Sequence, residues 1–172
     1  MNYTELLAPA GDEESLAAAL DYGADAVYLA GKGYGMRAGA KNFDEEGLRS
    51  AVEAAHKRGV KVYLAVNTIP LNSEVDSFPG FIRAAVAAGV DAAIAADLGV
   101  ISMIREHAPG LAVHASTQTG VVNYRTALEL YKMGARRVVL AREVSLGDIR
   151  TIRERIPEDM EIEVFVHGAM CV

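Results

Sequence analysis

The sequence predicts an α/β protein: a TIM-type (β/α) barrel, incomplete, with about seven parallel strands and six helices. Three observations predict it. Short runs rich in Val, Ile, Leu, Ala and Tyr alternate with longer segments carrying apolar residues at helical spacing, and the pair recurs about every 25 to 30 residues. The strings "GADAVYL", "GVKVYL", "GVDAAI" and "GARRVVL" repeat one device, a glycine that ends a helix one or two residues before the next strand. Such returns fit the short αβ loops of a parallel sheet whose strands are buried on both faces. The spacing is even and shows no obvious switch point, which favours a barrel over an open doubly wound sheet.

The elements follow in order. "ELLAPA" from Glu5 is the first strand; "DEESLAAALDYG" after it has acids in its first turn, where the helix dipole favours negative charge, and Gly23 at the expected C-cap. "DAVYLA" from Asp25 leads through a long loop, "GKGYGMRAGAKNFD", to a helix from Asp44. "KVYLAVN" from Lys61 precedes a helix from Phe78, and "DAAIAAD" from Asp91 one from Leu98. "LAVHAS" from Leu111 precedes a helix from Asn123, "RVVLAR" from Arg137 one from Ser145, and "EIEVFVHG" from Glu161 is the seventh strand. An eighth strand is missing from this count, and a sheet with two unpaired edges tends to recruit another chain. Either the chain is a fragment, or it forms an oligomer through the open barrel edge.

Composition narrows the function. The chain has 172 residues, 51% of them hydrophobic, enough for one core, so a single domain over residues 1–172 is expected. A formal charge of −6 argues against a protein that coats DNA or anionic membrane nonspecifically. The densest basic stretch, Arg136, Arg137, Arg142, Arg150, Arg153 and Arg155, is interleaved with Glu143, Asp148 and Glu154 and reads as a solvated helix face plus strand ends. No basic leader or long apolar span is present, and the single cysteine excludes an intrachain disulfide; both fit a cytoplasmic protein without a membrane span.

In either architecture, chemistry sits beyond the C-terminal ends of the strands. The polar residues at those ends are Arg37 in the long second loop, Asn67 after the third strand and Asp97 after the fourth. After the fifth come Ser116, Gln118 and Asn123; after the sixth, Arg142 and Glu143; after the seventh, His167 and Cys171. "GKGYG" is not followed at once by a helix, so it reads as a flexible loop rather than a phosphate cradle. Arg37 is placed either for bidentate capture of a carboxylate or phosphate or simply as an exposed loop residue. Asp97 is placed either to act at the mouth or to cap the helix starting at Leu98. Arg142 and Glu143, adjacent on a strand, should point to opposite faces. His114 reads as a hydrogen-bonded core histidine, whereas His56 and His107 read as surface residues. His167, beside a glycine at a strand end, is the histidine best placed for a functional role.

Familiar hydrolytic motifs are absent from the sequence. It has no Gly-x-Ser-x-Gly elbow and no His-Glu-x-x-His pair. Cys171 and His167 lack an assignable orienting acid.

"ELLAPAG", "GADAVYLAGKGYGMRAGAKNF", "VNT", "HASTQTGVVN", "GARRVVLAREVSLGDI" and "EVFVHGAMCV" together resemble the collagenase-like peptidase family, number 32 of the peptidases of unknown catalytic type, from Glu5 to the last residue. The resemblance implies a TIM-type barrel and identifies the chain as the N-terminal part of a longer protein. It also implies a choice of activities. The family was named for proteolysis, while its relatives include oxygen-independent hydroxylation proteins acting on tRNA, ribosomal RNA or the ubiquinone ring through an iron–sulfur cluster on four cysteines. Cys171 corresponds to the first of those ligands, and the other three are not in this sequence, so no cofactor is expected within these residues alone. The expectation for the intact protein is iron–sulfur-dependent hydroxylation of RNA or a small quinone precursor. Glu143, His167 and Asp97 would be catalytic, and Arg37, Asn67, Ser116, Gln118, Asn123 and Arg142 would bind substrate. Collagenase-like proteolysis of a peptide substrate, and a binding subunit that pairs with a second barrel, are the alternatives.

Overall fold

Each strand pairs in parallel with the next one in sequence, giving a curled seven-stranded sheet in the order β1 to β7. The computed structural model describes residues 4–35 and 42–168. The strands are β1 (Leu7–Pro9), β2 (Ala26–Ala30), β3 (Lys61–Val66), β4 (Ala92–Ala95), β5 (Ala112–Ala115), β6 (Ala135–Val139) and β7 (Glu161–Glu163). The helices are α1 (Glu13–Asp21), α2 (Glu45–His56), α3 (Asn72–Val75), α4 (Phe78–Ala88), α5 (Leu98–His107), α6 (Tyr124–Lys132) and α7 (Leu146–Arg155). Thr117–Thr119 adds one 3-10 turn. The incomplete barrel is thus present with seven described helices rather than six. The extra one is the single turn α3, closed by the Glu74 carboxylate accepting from the Leu71 N–H at 2.7 Å, a link too short to leave a helical period in the sequence.

Strand alternation sorts side chains into two layers. Val27, Leu29, Val62, Leu64, Val66, Ala93 and Val113 face outward into the main core, against Phe78, Ile82, Ile101 and Ile104 of the helices. Burying each of these valine, leucine, isoleucine and phenylalanine side chains contributes roughly 1.5–3 kcal/mol. Ala26, Tyr63, Ala92 and Ile94 face the lumen, with Leu7, Tyr28 and Ala112 packed against them.

The αβ returns work as the repeated glycine predicts. Gly134 ends α6 at φ +103°, a conformation that demands glycine, whereas the nearest obstacle to a Cβ, Arg105 Cδ at 2.7 Å, belongs to a flexible side chain that can move aside. The aspartates that open two of these strands have a further role. Asp25 accepts the Leu6 N–H, just before β1, at 2.8 Å, and Asp91 accepts the Val62 N–H of β3 at 2.7 Å, each satisfying a backbone donor at the start of the preceding strand.

Three other expectations change. The stem of "GKGYG" is anchored: Lys32 N–H donates to Phe43 O at 3.0 Å, and buried Tyr34 packs edge-on against Phe78 and donates to Glu74 O at 2.7 Å. The basic stretch is not a solvated helix face throughout. Arg137 is buried in the lumen, Arg136 pairs with Asp159, and Arg153 donates to the carbonyls of Ile156, Pro157 and Met160. Finally, β6 ends at Val139, so Arg142 and Glu143 lie in a turn and strand alternation does not govern them.

Candidate functional site

The βα turns form a rim at the C-terminal end of the sheet, and the sequence makes this rim polar for a local reason. A helix begins soon after most strands, so its N-cap must come from the rim. Asp12, Asp44, Asp97, Asn123 and Ser145 all fill that role. Two sequence candidates are among them: Asp97 accepts the Val100 N–H at 2.9 Å, and Asn123 accepts the Thr126 N–H at 3.0 Å. Asp97→Ala is therefore expected to cost about 1 kcal/mol while Asp97→Asn, which keeps the cap, costs little; thermal melts of the two variants check this.

Asn67 follows β3 directly and is half-buried. Ser116 is buried, follows β5 directly, and accepts the Gln118 N–H at 3.4 Å as the 3-10 turn opens. Gln118 therefore leaves the strand and does not continue the face of His114. Glu143 and His167 are both exposed. Arg142 reaches across to the segment after β7, its Nη1 donating to Gly168 O at 2.7 Å. Ser116 is thus brought together with Gln118, and Arg142 with the neighbour of His167. Among the described residues no hydrogen bond or ion pair joins Glu143, His167 and Asp97 to one another. Arg37 and Cys171 lie outside the described residues. A rim cleft of about 390 Å³ between the starts of α1 and α2 is lined by Asp12, Glu13, Glu14 and Asp44, which the strand-end inventory did not include.

The most perturbed electrostatics lie elsewhere, in the lumen toward the N-terminal ends of the strands. Arg137 is the hub. Its Nη1 donates to Glu5 at 2.8 Å and to Glu163 at 3.2 Å, its Nε donates to Glu161 at 2.7 Å, and its guanidinium lies 5.2 Å from the Tyr63 ring centroid. Tyr63 donates to the Glu5 carboxylate at 2.9 Å. Burial alone would raise Glu5, but the hydrogen bond and charge of Arg137 outweigh it and hold this carboxyl below its ordinary value. Glu163 goes the other way, because burial outweighs the same guanidinium. Tyr63 is raised, chiefly by burial. His114 stands edge-on to Tyr63, 4.6 Å between centroids; burial, then the charge of Arg137, push it down to about 3.

His114 is buried, as the sequence suggested, but its Nδ1 has no hydrogen-bond partner among the described residues, contrary to expectation. Sequence reading missed the rest of this cluster. Its signals were an arginine inside an apolar run and the alternating glutamates of "EIE", which must share one face. Clustered pKa shifts often mark reaction sites, but here they lie at the barrel end associated with stability.

The model of Peptidase family U32 matches residues 11–172. The chain belongs to this family. It is 42% identical over 98% of its length to the tRNA hydroxylation protein P of Escherichia coli, covering 37% of that protein. It is 45% identical over its whole length to an uncharacterized protease of Methanocaldococcus jannaschii, covering 42% of it, and 40% identical to a collagenase of Porphyromonas gingivalis, covering 43%. The chain thus spans about two fifths of the curated U32 relatives it matches. Among solved structures, a U32 peptidase superposes with a TM-score of 0.77 at 17% identity, covering 94% of this chain and 68% of the other. A phosphoenolpyruvate phosphomutase from Streptomyces platensis superposes at 0.65 with 18% identity, covering 95% of this chain and 69% of the other. These likenesses support the barrel fold. Among the described residues no helix is long and apolar enough to cross a membrane.

Proposed function

We propose that this chain is the barrel portion of a U32 enzyme that hydroxylates tRNA in the cytoplasm. The observation carrying this reading is the 42% identity to a tRNA hydroxylation protein across 98% of the chain. The sheet supports it by gathering Asn67, Ser116, Gln118, Arg142 and Glu143 at one end, the end where barrels of this kind carry out chemistry. Glu143, His167 and Asp97 are proposed for proton transfer at the rim. Arg37, Asn67, Ser116, Gln118 and Asn123 are proposed to line the substrate path. An imidazole can accept a proton at one ring nitrogen while donating at the other, which suits His167 to that role.

A four-thiolate iron–sulfur cluster does not fit within these residues alone. The sequence has one cysteine, and the described residues contain no group of three His, Cys, Asp or Glu able to hold a metal. The cluster reading therefore applies to the longer protein, with Cys171 as one ligand and three further cysteines beyond Val172.

The test uses the full-length protein. Deleting the gene should remove a hydroxylated nucleoside from digested tRNA, as read by mass spectrometry, and the wild-type gene should restore it where Cys171→Ser and His167→Ala do not. Anaerobically purified protein should contain iron and sulfide. An unchanged nucleoside profile in the deletion strain would overturn the reading. The collagenase and protease names of two relatives favour a second reading, proteolysis. Gelatin cleavage that is lost in a Glu143→Ala, His167→Ala double variant would support it; cleavage that persists unchanged would expose a contaminating protease.

A further inference from the structure

We propose that Arg142 is a positioning residue that fixes the His167–Gly168 turn at the barrel mouth, instead of binding substrate. The inference deepens the hydroxylation reading and rests on it only for its activity measurement.

Pairing of β7 with β6 ends at Glu163, where Leu140 N–H donates to Glu163 O at 3.0 Å. The chain then runs on with little burial: Val164 is 43% exposed, Phe165 38% and Val166 87%. Arg142 touches this segment twice. Its guanidinium lies over the Phe165 ring, 4.2 Å from the centroid, and its Nη1 donates to Gly168 O at 2.7 Å. The two contacts bracket His167 in sequence. A charged donor to a carbonyl is stronger than a neutral one, and stacking of the flat guanidinium adds a second restraint.

Both ends of the strut are built for it. Ala141 N–H donates to Val121 O at 3.0 Å and Val144 N–H to Ala141 O at 3.3 Å, which fixes the backbone around Arg142. Gly168 has φ +134°, and a Cβ there would stand 3.2 Å from Arg142 Nη2, so a side chain would be strained and crowd the guanidinium. Lysine cannot replace this arginine fully, because a point charge does not stack on the ring while also donating along the carbonyl.

The experiment compares wild type, Arg142→Met and Arg142→Lys in the full-length protein. Backbone order parameters from nitrogen-15 relaxation should fall within 164–168 in Arg142→Met, with those of β6 and the thermal midpoint unchanged, and Arg142→Lys should recover only part of the ordering. Hydroxylation of tRNA should lose kcat with KM nearly constant, as expected when the positioning of a reacting group is impaired and substrate binding is not. Unchanged order parameters in 164–168, or a rise in KM at constant kcat, would overturn the proposal. If the order parameters respond as expected while even the wild type hydroxylates no tRNA, the positioning role stands and the hydroxylation reading fails.

Discussion

Replacing Arg137 with methionine is expected to destabilise the barrel by about 3–5 kcal/mol, the range for breaking a buried ion cluster from one side. The Arg137 side chain is only 8% exposed, and it holds Glu5, Glu161 and Glu163 together. Without it, three carboxylates converge on one end of the lumen with Lys61, paired to Glu5 at 3.3 Å, as the nearby cation. Glu161 is more than half exposed and its share is discounted for solvent screening; Glu5 and Glu163 dominate. The link between Glu5 and Arg137 also ties the chain before edge strand β1 to β6 across the lumen, so its loss frees the curled sheet to open. Urea denaturation measures the effect. Arg137→Lys should fall between wild type and Arg137→Met. Adding Glu5→Gln to Arg137→Met should recover part of the loss, because one stranded charge is removed with its partner. A loss below about 1 kcal/mol in Arg137→Met would show that the cluster is solvated like an ordinary surface pair.

That hub shows where sequence reading reached its limit. The strands, their order and the glycine returns were legible because each depends on neighbours a few residues apart. The N-caps were legible for the same reason, and they created an ambiguity: an aspartate at a strand end looks the same whether it caps a helix or faces a ligand. Asp97 and Asn123 turned out to make cap hydrogen bonds. The contact of Glu5 with Arg137 spans 132 residues, and no local period announces it. The curl of the sheet brings them together, so the cluster follows from the barrel and not from any segment. Arg142 carries a related ambiguity. Its position beyond a strand end suggested a ligand, while its partners, Phe165 and Gly168, belong to the next βα unit.

The second large effect is a loss of stability in mild acid, driven by His114. Unfolded, its imidazole titrates near the ordinary 6.5; folded, burial and then the charge of Arg137 lower it to about 3. Tyr63, Arg137, Glu5 and Lys61 are the titratable groups around it, and among these only Glu5 favours its charged form. Between those two values the unfolded chain binds a proton that the native chain refuses, so acidification favours unfolding. At pH 5 the native state should be about 2 kcal/mol less stable than at pH 7 on this account, from 1.4 kcal/mol per unit below 6.5. Glu5, lowered in the native state, adds loss in the same direction, but only as pH approaches the carboxylate range. Glu163, raised in the native state, takes up its proton before the unfolded chain does, above the ordinary carboxylate range, and offsets part of the His114 loss. The slope between pH 6.5 and 5 therefore belongs chiefly to His114 within this cluster. His114→Leu isolates it: Nδ1 has no partner to lose among the described residues, and the lumen neighbours Tyr63 and Ile94 are already apolar packing surfaces. Urea midpoints for this variant should be flatter between pH 6.5 and 5 and higher than wild type at pH 5. An equal slope in both proteins would place the acid sensitivity in other groups and leave His114 free to protonate in the folded barrel.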